Sequence, residues 1–362
     1  MTNTADIIII GAGVAGLGAA AFLAGEARVV VLEAEAQPCF HSSGRSAAIY
    51  IKSYGPPGVR AATIASEAFF NAPPEGFAEA PILGPRGLLY VDYKGGALDA
   101  LVAEIPGMVA IPPEEAIARV PILKREGIVA ASYEEDAQDI DVDLLTGGFR
   151  RMARAGGAEI VTNARVSSLT RDGGVWRVEA GGEAWEAPVV VNAAGAWASQ
   201  VAAMAGATPI HIQPKRRSAA ILPGPEGMDV NGWPLVADAG EEWYLVPKAG
   251  KMMVSPADAD PVEAQDIQPD DMVLAMGVDR FEQRVDYQVR RVEHTWAGLR
   301  SFSPDGEPVA GFDPAAEGFF WLAGQGGYGI QTAPALCRMA ADLILKKDTA
   351  INPAPFDPAR FG

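Results

Sequence analysis

The run DIIIIGAGVAGLGAAAFLAGEARVVVLEAEAQ, which begins at Asp6, limits the fold of this chain more than any other stretch. The uninterrupted apolar tetrad Ile7 to Ile10 reads as a strand buried on both faces. It meets Gly11, Gly13 and Gly16, and a helix of small residues, Leu17 to Leu23, follows. A second apolar run, Val29 to Leu32, ends on an acid, Glu33. Each residue type has a physical task. Gly11 permits the tight turn, Gly13 lets a pyrophosphate approach the backbone, and Gly16 lets helix and strand pack closely. The helix N-terminus turns free N–H groups and a positive dipole end toward phosphate. Glu33 stands about 20 residues beyond the first glycine, where a carboxylate meets a ribose hydroxyl. A glycine triplet alone is a weak signal; strand, helix, second strand and acid in this order predict a dinucleotide site.

The stretch Ile7 to Gly25 is uncharged and long enough for a membrane span, but its glycines and the charged segment after it argue against that. No basic n-region or cleavage site precedes it, so it does not read as a signal peptide. At 362 residues, with 49% hydrophobic and 21% charged, the chain has the length and composition of a two-domain globular enzyme. A formal charge of −17 works against nucleic acid and anionic membranes as partners. Cys39 and Cys337 are too few for a disulfide framework, which suits a reducing, cytoplasmic compartment. Neither they nor His41, His211 and His294 have metal-ligand spacing, so no metal site is expected.

The strand, small-residue turn and helix recur twice more. Val189 to Val191 leads through NAAGAW, with Ala194 and Gly195, into a helix from Ala198. Phe319 to Ala323 leads through GQGGYG into a helix from Gln331. Three such turns predict one doubly wound α/β sheet assembled from distant segments. Between them, short alternating runs punctuated by Pro and Gly (Leu88–Tyr93, Ala219–Leu222, Trp243–Val246, Met252–Ser255) predict an antiparallel sheet. Further helices are predicted over Val59–Phe70, Glu114–Arg119, Val142–Ala155 and Met272–Phe281. The fold class is therefore a Rossmann-like nucleotide-binding domain (1–80, 137–207 and 296–362) with an antiparallel β-rich, α+β substrate domain (81–136 and 208–295).

The glycine motif does not separate NAD from FAD. Its continuation HSSGRSAAIY (His41 to Tyr50) resembles flavoproteins of the D-amino-acid oxidase superfamily, as do NAAGAW (Asn192–Trp197), QPKRRSA (Gln213–Ala219), HTWAGLRSF (His294–Phe302) and GQGGYGIQT (Gly324–Thr332). Within the superfamily these blocks are most similar to bacterial D-arginine dehydrogenases. The resemblance implies FAD, held without a covalent link since neither cysteine lies in an attachment motif. Ala15, Glu33 and Ala34 would hold the ADP half. Ser42, Ser43, Gly44, Arg45, Ser46, Ala47 and Ala48 would face the pyrophosphate and flavin edge. Val166 would meet adenine through its backbone. Gly326, Gly327, Tyr328, Gly329, Ile330 and Gln331 would bring a helix N-terminus to the flavin pyrimidine, where hydride uptake leaves negative charge.

The resemblance also implies a substrate site. Arg300 would pair the substrate carboxylate with its planar fork, with Arg217 as helper. Tyr244 and Tyr54 would bracket the substrate, and Gln331 would reach it from the flavin side. Tyr54 precedes Gly55-Pro56-Pro57, a turn that could hinge a small lid. His41 belongs to the flavin-contacting stretch and reads equally well as structural. No side chain reads as an obligatory base, so catalysis would rest on orientation of Cα–H. Leu88 and Ile49 stand where the D-arginine dehydrogenases have Glu and His, which predicts neutral or apolar D-amino acids over D-Arg and D-Lys. Electrons would pass to a quinone-like or other acceptor in preference to O2. The alternatives are a glycine or sarcosine oxidase using O2, a 2-hydroxyacid dehydrogenase (which needs a base) and a non-catalytic flavin-binding protein.

Overall fold

The computed structural model describes residues 2–105 and 107–362. Its centre is a six-stranded sheet in the order Glu159–Val161, Val29–Leu32, Ile7–Ile10, Val189–Asn192, Phe319–Ala323, Val309–Phe312. The first five strands are parallel and the last runs antiparallel. Alternate residues of these strands enter two different cores, which is why each strand is an unbroken apolar run. Ile7, Ile9, Val31, Val191 and Phe320 pack under the helices Val14–Leu23, Val142–Ala155 and Gly329–Ile344. Ile8, Ile10, Val30, Val190 and Trp321 pack on the opposite side.

That second face departs from a doubly wound sheet. The short helix Ala198–Ala205 covers part of it, and a four-stranded sheet in the order Asn3–Thr4, Glu183–Ala187, Val175–Ala180, Val166–Asp172 covers the rest. Trp176, Val178 and Ala180 point inward from the middle hairpin while Val175, Arg177 and Glu179 face solvent. The layer order is therefore helices, the six-stranded sheet, then the four-stranded sheet with the short helix beside it.

The second large sheet has nine strands, in the order Gln325–Gly326, His294–Phe302, Gln213–Pro223, Lys251–Ser255, Tyr244–Lys248, Leu235–Asp238, Leu88–Asp92, Ala130–Glu134, Met108–Ile111. It is antiparallel except where Leu235–Asp238 runs parallel to Leu88–Asp92, the join between the two excursions of the chain. The expected boundary at 295/296 cuts the strand His294–Phe302, which in fact pairs whole with Gln213–Pro223. One face of this sheet packs on the helices Pro113–Arg119 and Asp271–Arg284 through Ala116, Leu274 and Phe281. Its other face, with Leu88, Leu235 and Val246, looks back toward the glycine-rich turns. Helices expected over 59–70, 114–119, 142–155 and 272–281 form at Pro57–Asn71, Pro113–Arg119, Val142–Ala155 and Asp271–Arg284. Among the described residues no helix is long and apolar enough to cross a membrane.

Candidate active site

The N-terminal turn is shaped by what its glycines lack. Gly11 has φ +101°, and a Cβ there would meet the Ala193 carbonyl oxygen at 2.5 Å. A Cβ on Gly16 would overlap the Gly11 carbonyl. Gly13 differs: its φ is ordinary, and a Cβ would approach only Ser43 Oγ, at 3.3 Å. The space over Gly13 is thus kept open on the cleft side. The Val14 N–H donates to Ser43 Oγ at 3.0 Å, leaving the Ser43 hydroxyl hydrogen to offer outward. Glu33 is fixed by accepting from the Ala12 N–H at 2.6 Å and the Glu35 N–H at 2.9 Å, with lone pairs left on both oxygens.

Two cavities of about 280 and 260 Å³ share walls at Gly13, Ser42, Ser43, Ala193 and Gly195. Together they form an extended cleft along the carboxyl ends of the parallel strands, the position a dinucleotide takes in such sheets. The smaller chamber is walled by Gly11, Glu33, Ala34, His41, Val166 and Ala194. The larger takes Ala15, Arg45, Ser46, Ala47, Ala48 and the turn Gly326, Gly327, Gly329, Ile330 and Gln331, and continues to Tyr54, Arg217, Tyr244 and Arg300. Three expected cofactor contacts wall neither chamber. Gly16 serves the helix–strand packing described above. Gly44 closes a turn, its N–H donating to the Cys39 carbonyl at 2.9 Å. Tyr328 lies behind the cavity wall, edge-on to Tyr54 with ring centroids 4.9 Å apart.

Two side chains make bonds that were not foreseen. The Arg45 guanidinium donates to the Ile267 and Ala297 carbonyls at 2.9 and 3.2 Å and pairs with Asp266 at 2.5 Å, stitching the cofactor stretch to the nine-stranded sheet and its 266–267 loop. Gln331 is buried in the chamber wall. It accepts from the Ile51 N–H at 3.1 Å and donates to Thr63 Oγ1 at 2.9 Å, so its side chain braces the scaffold with one N–H left over. His41 bonds Glu35 at 3.1 Å and packs on Trp197, a structural setting.

Strand pairing brings the charged groups together. Lys215 lies opposite Arg300 and Arg217 opposite Gly298, so alternation aims Arg217 and Arg300 at the same face. Arg216, on the other face, is taken up by Asp258, Asp260 and Asp270. The short strand Gln325–Gly326 pairs with Ser301 and Phe302, which lays the third glycine-rich turn on Arg300. A Cβ on Gly327 would stand 3.1 Å from Arg300 Nη1.

Arg300 donates to the Tyr54 hydroxyl at 3.4 Å. Burial works against its charge, yet the hydroxyls of Tyr54, Tyr244 and Tyr328 outweigh this and hold the guanidinium above its ordinary range. Burial alone would raise the Tyr244 phenol, but Arg300 and Arg217 more than offset it and bring that phenol below its ordinary range. Arg217 stacks over the Tyr244 ring at 5.7 Å and donates Nε–H to the Asp258 carbonyl at 2.8 Å. Among the described residues no carboxylate pairs with Arg300 or Arg217. An enclosed guanidinium of this kind can take an external carboxylate.

Beyond the arginines the chamber is apolar. Ile49, Leu88, Ala219, Leu235, Ala237, Tyr90 and Trp296 line it, together with the buried Asp238 and the exposed Glu241. Tyr90, Leu235, Trp296 and these two acids were not foreseen. Tyr90 and Trp296 carried a readable signal, since they share strand faces with Leu88 and Arg300 at even spacing. The turn that places Asp238 and Glu241 carried none. Among the described residues, no group of three His, Cys, Asp or Glu side chains could hold a metal ion.

A family model described as DAO, FAD dependent oxidoreductase, matches residues 6–343. Glycine oxidase of Geobacillus kaustophilus (strain HTA426) is 27% identical over 254 residues, which is 68% of this chain and 64% of the relative. The chain thus covers less than two thirds of that relative's length. The solved structure of glycine oxidase from Geobacillus kaustophilus superposes with a TM-score of 0.86 at 23% identity, covering 98% of both chains. L-proline dehydrogenase from P. horikoshii superposes with a TM-score of 0.86 at 23% identity, covering 100% of this chain and 98% of that one. At these identities the two structures show the fold.

Proposed function

Because the chain belongs to the DAO family of FAD-dependent oxidoreductases, we propose that it oxidises the α-carbon of an amino acid, favouring neutral or apolar D-amino acids over basic ones. The residues present fit FAD: the space over Gly13, the outward hydroxyl of Ser43, the fixed Glu33 carboxylate and the uncapped N-terminus at Gly329 line one continuous cleft. Burial pushes the thiols of Cys39 and Cys337 up to about 11 and about 12, which keeps both protonated and supports a non-covalent flavin. When bound, FAD supplies the acceptor for the hydride that leaves the substrate.

The observation that carries the reading is Arg300, an enclosed guanidinium with no carboxylate partner among the described residues, facing an apolar chamber. Its fork holds the substrate carboxylate by two charge-assisted bonds, and Tyr54 and Tyr244 confine the same end. Ile49, Leu88 and Leu235 receive the side chain. An amino acid so held has its Cα–H aimed by position alone, and effective concentration does the work that a base would otherwise share. The amine, once neutral, releases its lone pair into the forming C=N bond; the imino acid then hydrolyses in water to a 2-oxo acid and ammonia. The D configuration rests on the likeness of HSSGRSAAIY and the other blocks to D-arginine dehydrogenases; a quinone-like electron acceptor goes with the same likeness.

Anaerobic bleaching of the bound flavin across all D- and L-amino acids, glycine and sarcosine tests this directly. D-Leu, D-Met, D-Phe, D-Val or D-Pro should bleach fastest; D-Arg as the best substrate would overturn the proposed preference. Arg300→Met should retain FAD and lose roughly 10²- to 10³-fold in kcat/KM, the scale of truncating one partner of a buried charge pair. A second reading, a glycine or sarcosine oxidase using O2, is favoured by the glycine oxidase match. It requires glycine or sarcosine to bleach the flavin best and peroxide to appear under air.

A further inference from the structure

Tyr54 sits on an irregular connection between the strand Ile49–Tyr50 and the helix Pro57–Asn71. Two carboxylates that wall neither chamber grip this connection on either side of it. Glu134, at the end of the strand Ala130–Glu134, is only 4% exposed and accepts the Ser53 hydroxyl hydrogen, with the backbone N–H groups of Ser53 and Lys52 beside it. Glu307, from the turn before Val309–Phe312, accepts from the Gly58 N–H at 2.7 Å and the Val59 N–H at 3.0 Å. These donors belong to the first turn of the helix and would otherwise be unsatisfied. Gly58 makes the grip possible, since a Cβ there would meet the Glu307 carboxylate at 2.5 Å.

Between the two grips Gly55 turns at φ +97°, with Val59 and then Tyr328 packed where a Cβ would be, and the Tyr328 ring in turn abuts Tyr54. Among the described residues neither Glu134 nor Glu307 has an ion-pair partner; each is spent on this connection. A buried carboxylate is costly unless its bonds are made, and burial does push the Glu134 carboxyl above its ordinary range. The Gly-Pro-Pro turn therefore does not stand as a free hinge.

We propose that Glu134 and Glu307 are paired positioning residues that clamp residues 51–59 and thereby set the Tyr54 hydroxyl against Arg300. The clamp rests on the reading of Arg300 as the carboxylate anchor. It acts through one atom, the Tyr54 oxygen, so its contribution to substrate binding must disappear when that oxygen is removed. A purely structural role would lower stability equally with or without it.

The test is a set of double-mutant cycles on the holoenzyme, with D-leucine as substrate. Glu134→Ala and Glu307→Ala, each alone, should raise KM about tenfold, the size of coupling between residues in contact, with FAD content unchanged. Glu134→Gln and Glu307→Gln, which keep an acceptor oxygen, should recover most of that loss. In a Tyr54→Phe background the same alanine substitutions should leave KM where Tyr54→Phe alone puts it. If Glu134→Ala does not fold, Ser53→Ala removes the same hydroxyl contact and takes its place in the cycle. Equal increases in KM in both backgrounds, or no increase in either, would overturn the clamp. Arg300→Met run alongside separates the two readings: a loss there with neutral clamp variants sinks the clamp alone, whereas an unchanged KM in Arg300→Met removes the anchor and the clamp with it.

Discussion

The proposed substrate preference turns on Leu88, because the strand pleat aims it and Tyr90 at the chamber while Leu89 enters the core under the helices. A cationic side chain arriving there would find Leu88, Ile49 and Leu235 in the wall, while the buried Glu134 carboxylate across the strand from Leu88 is taken by the Ser53 hydroxyl. Leu88→Glu should therefore raise kcat/KM for D-Arg relative to D-Leu by about tenfold or more, since close opposite charges couple by more than 1 kcal/mol. Steady-state kinetics with the two substrates measure this, and an unchanged ratio would show that side chains do not reach Leu88. Leu88 and Ile49 were singled out in the sequence, and both wall the chamber. The partners of the Arg45 and Gln331 side chains were not legible there, because a residue's type states what it can bond and not which partner the fold brings to it. The Arg45 partners come from residues 266–267 and 297, far along the chain.

At the level of elements, the first strand–turn–helix unit assigns different tasks to its glycines, and mutation separates them. Gly16→Ala would drive a Cβ into the Gly11 carbonyl and should destabilise the apoprotein by about 2 kcal/mol or more, as overpacking does. Gly13→Ala meets only a serine hydroxyl, so the apoprotein should melt within a few degrees of the parent while FAD affinity falls sharply. Apoprotein melting and flavin titration distinguish the two; equal losses of stability would contradict the division of labour. This unit was legible because its demands are local: turn, helix and acid lie within one short run. The covering of the sheet's second face was not read, although the alternation in Val175–Ala180 was there to see. Nothing local says that a hairpin, rather than a second layer of helices, will close a parallel sheet.

For the molecule as a whole, Asp313 matters where the chain leaves the central sheet for the second excursion. Its carboxylate accepts from the Ala315 and Ala316 N–H groups at 2.8 Å, Trp321 Nε1 at 2.9 Å, and the Thr208 N–H and hydroxyl at 3.0 and 3.2 Å. Burial opposes its ionisation, but these donors, Trp321 foremost, outweigh burial and hold the carboxyl below its ordinary range. A carboxyl depressed on folding adds stability that is fully present above its unfolded value and is lost as pH falls through its folded one. Asp313→Asn should thus cost on the order of 2–3 kcal/mol at neutral pH. Denaturant titrations should show the gap from the parent narrowing below about pH 4; a gap constant with pH would refute the assignment. The parallel join of Leu235–Asp238 to Leu88–Asp92 has a consequence for biosynthesis. Until residue 238 has emerged from the ribosome, Leu88–Asp92 offers an open, apolar strand edge, and the central strand Ile7–Ile10 waits just as long as Val189–Asn192 takes to appear. A nascent chain halted between these points is a sticky template for its own copies, so the growing polypeptide has reason to need a chaperone that the folded chain does not.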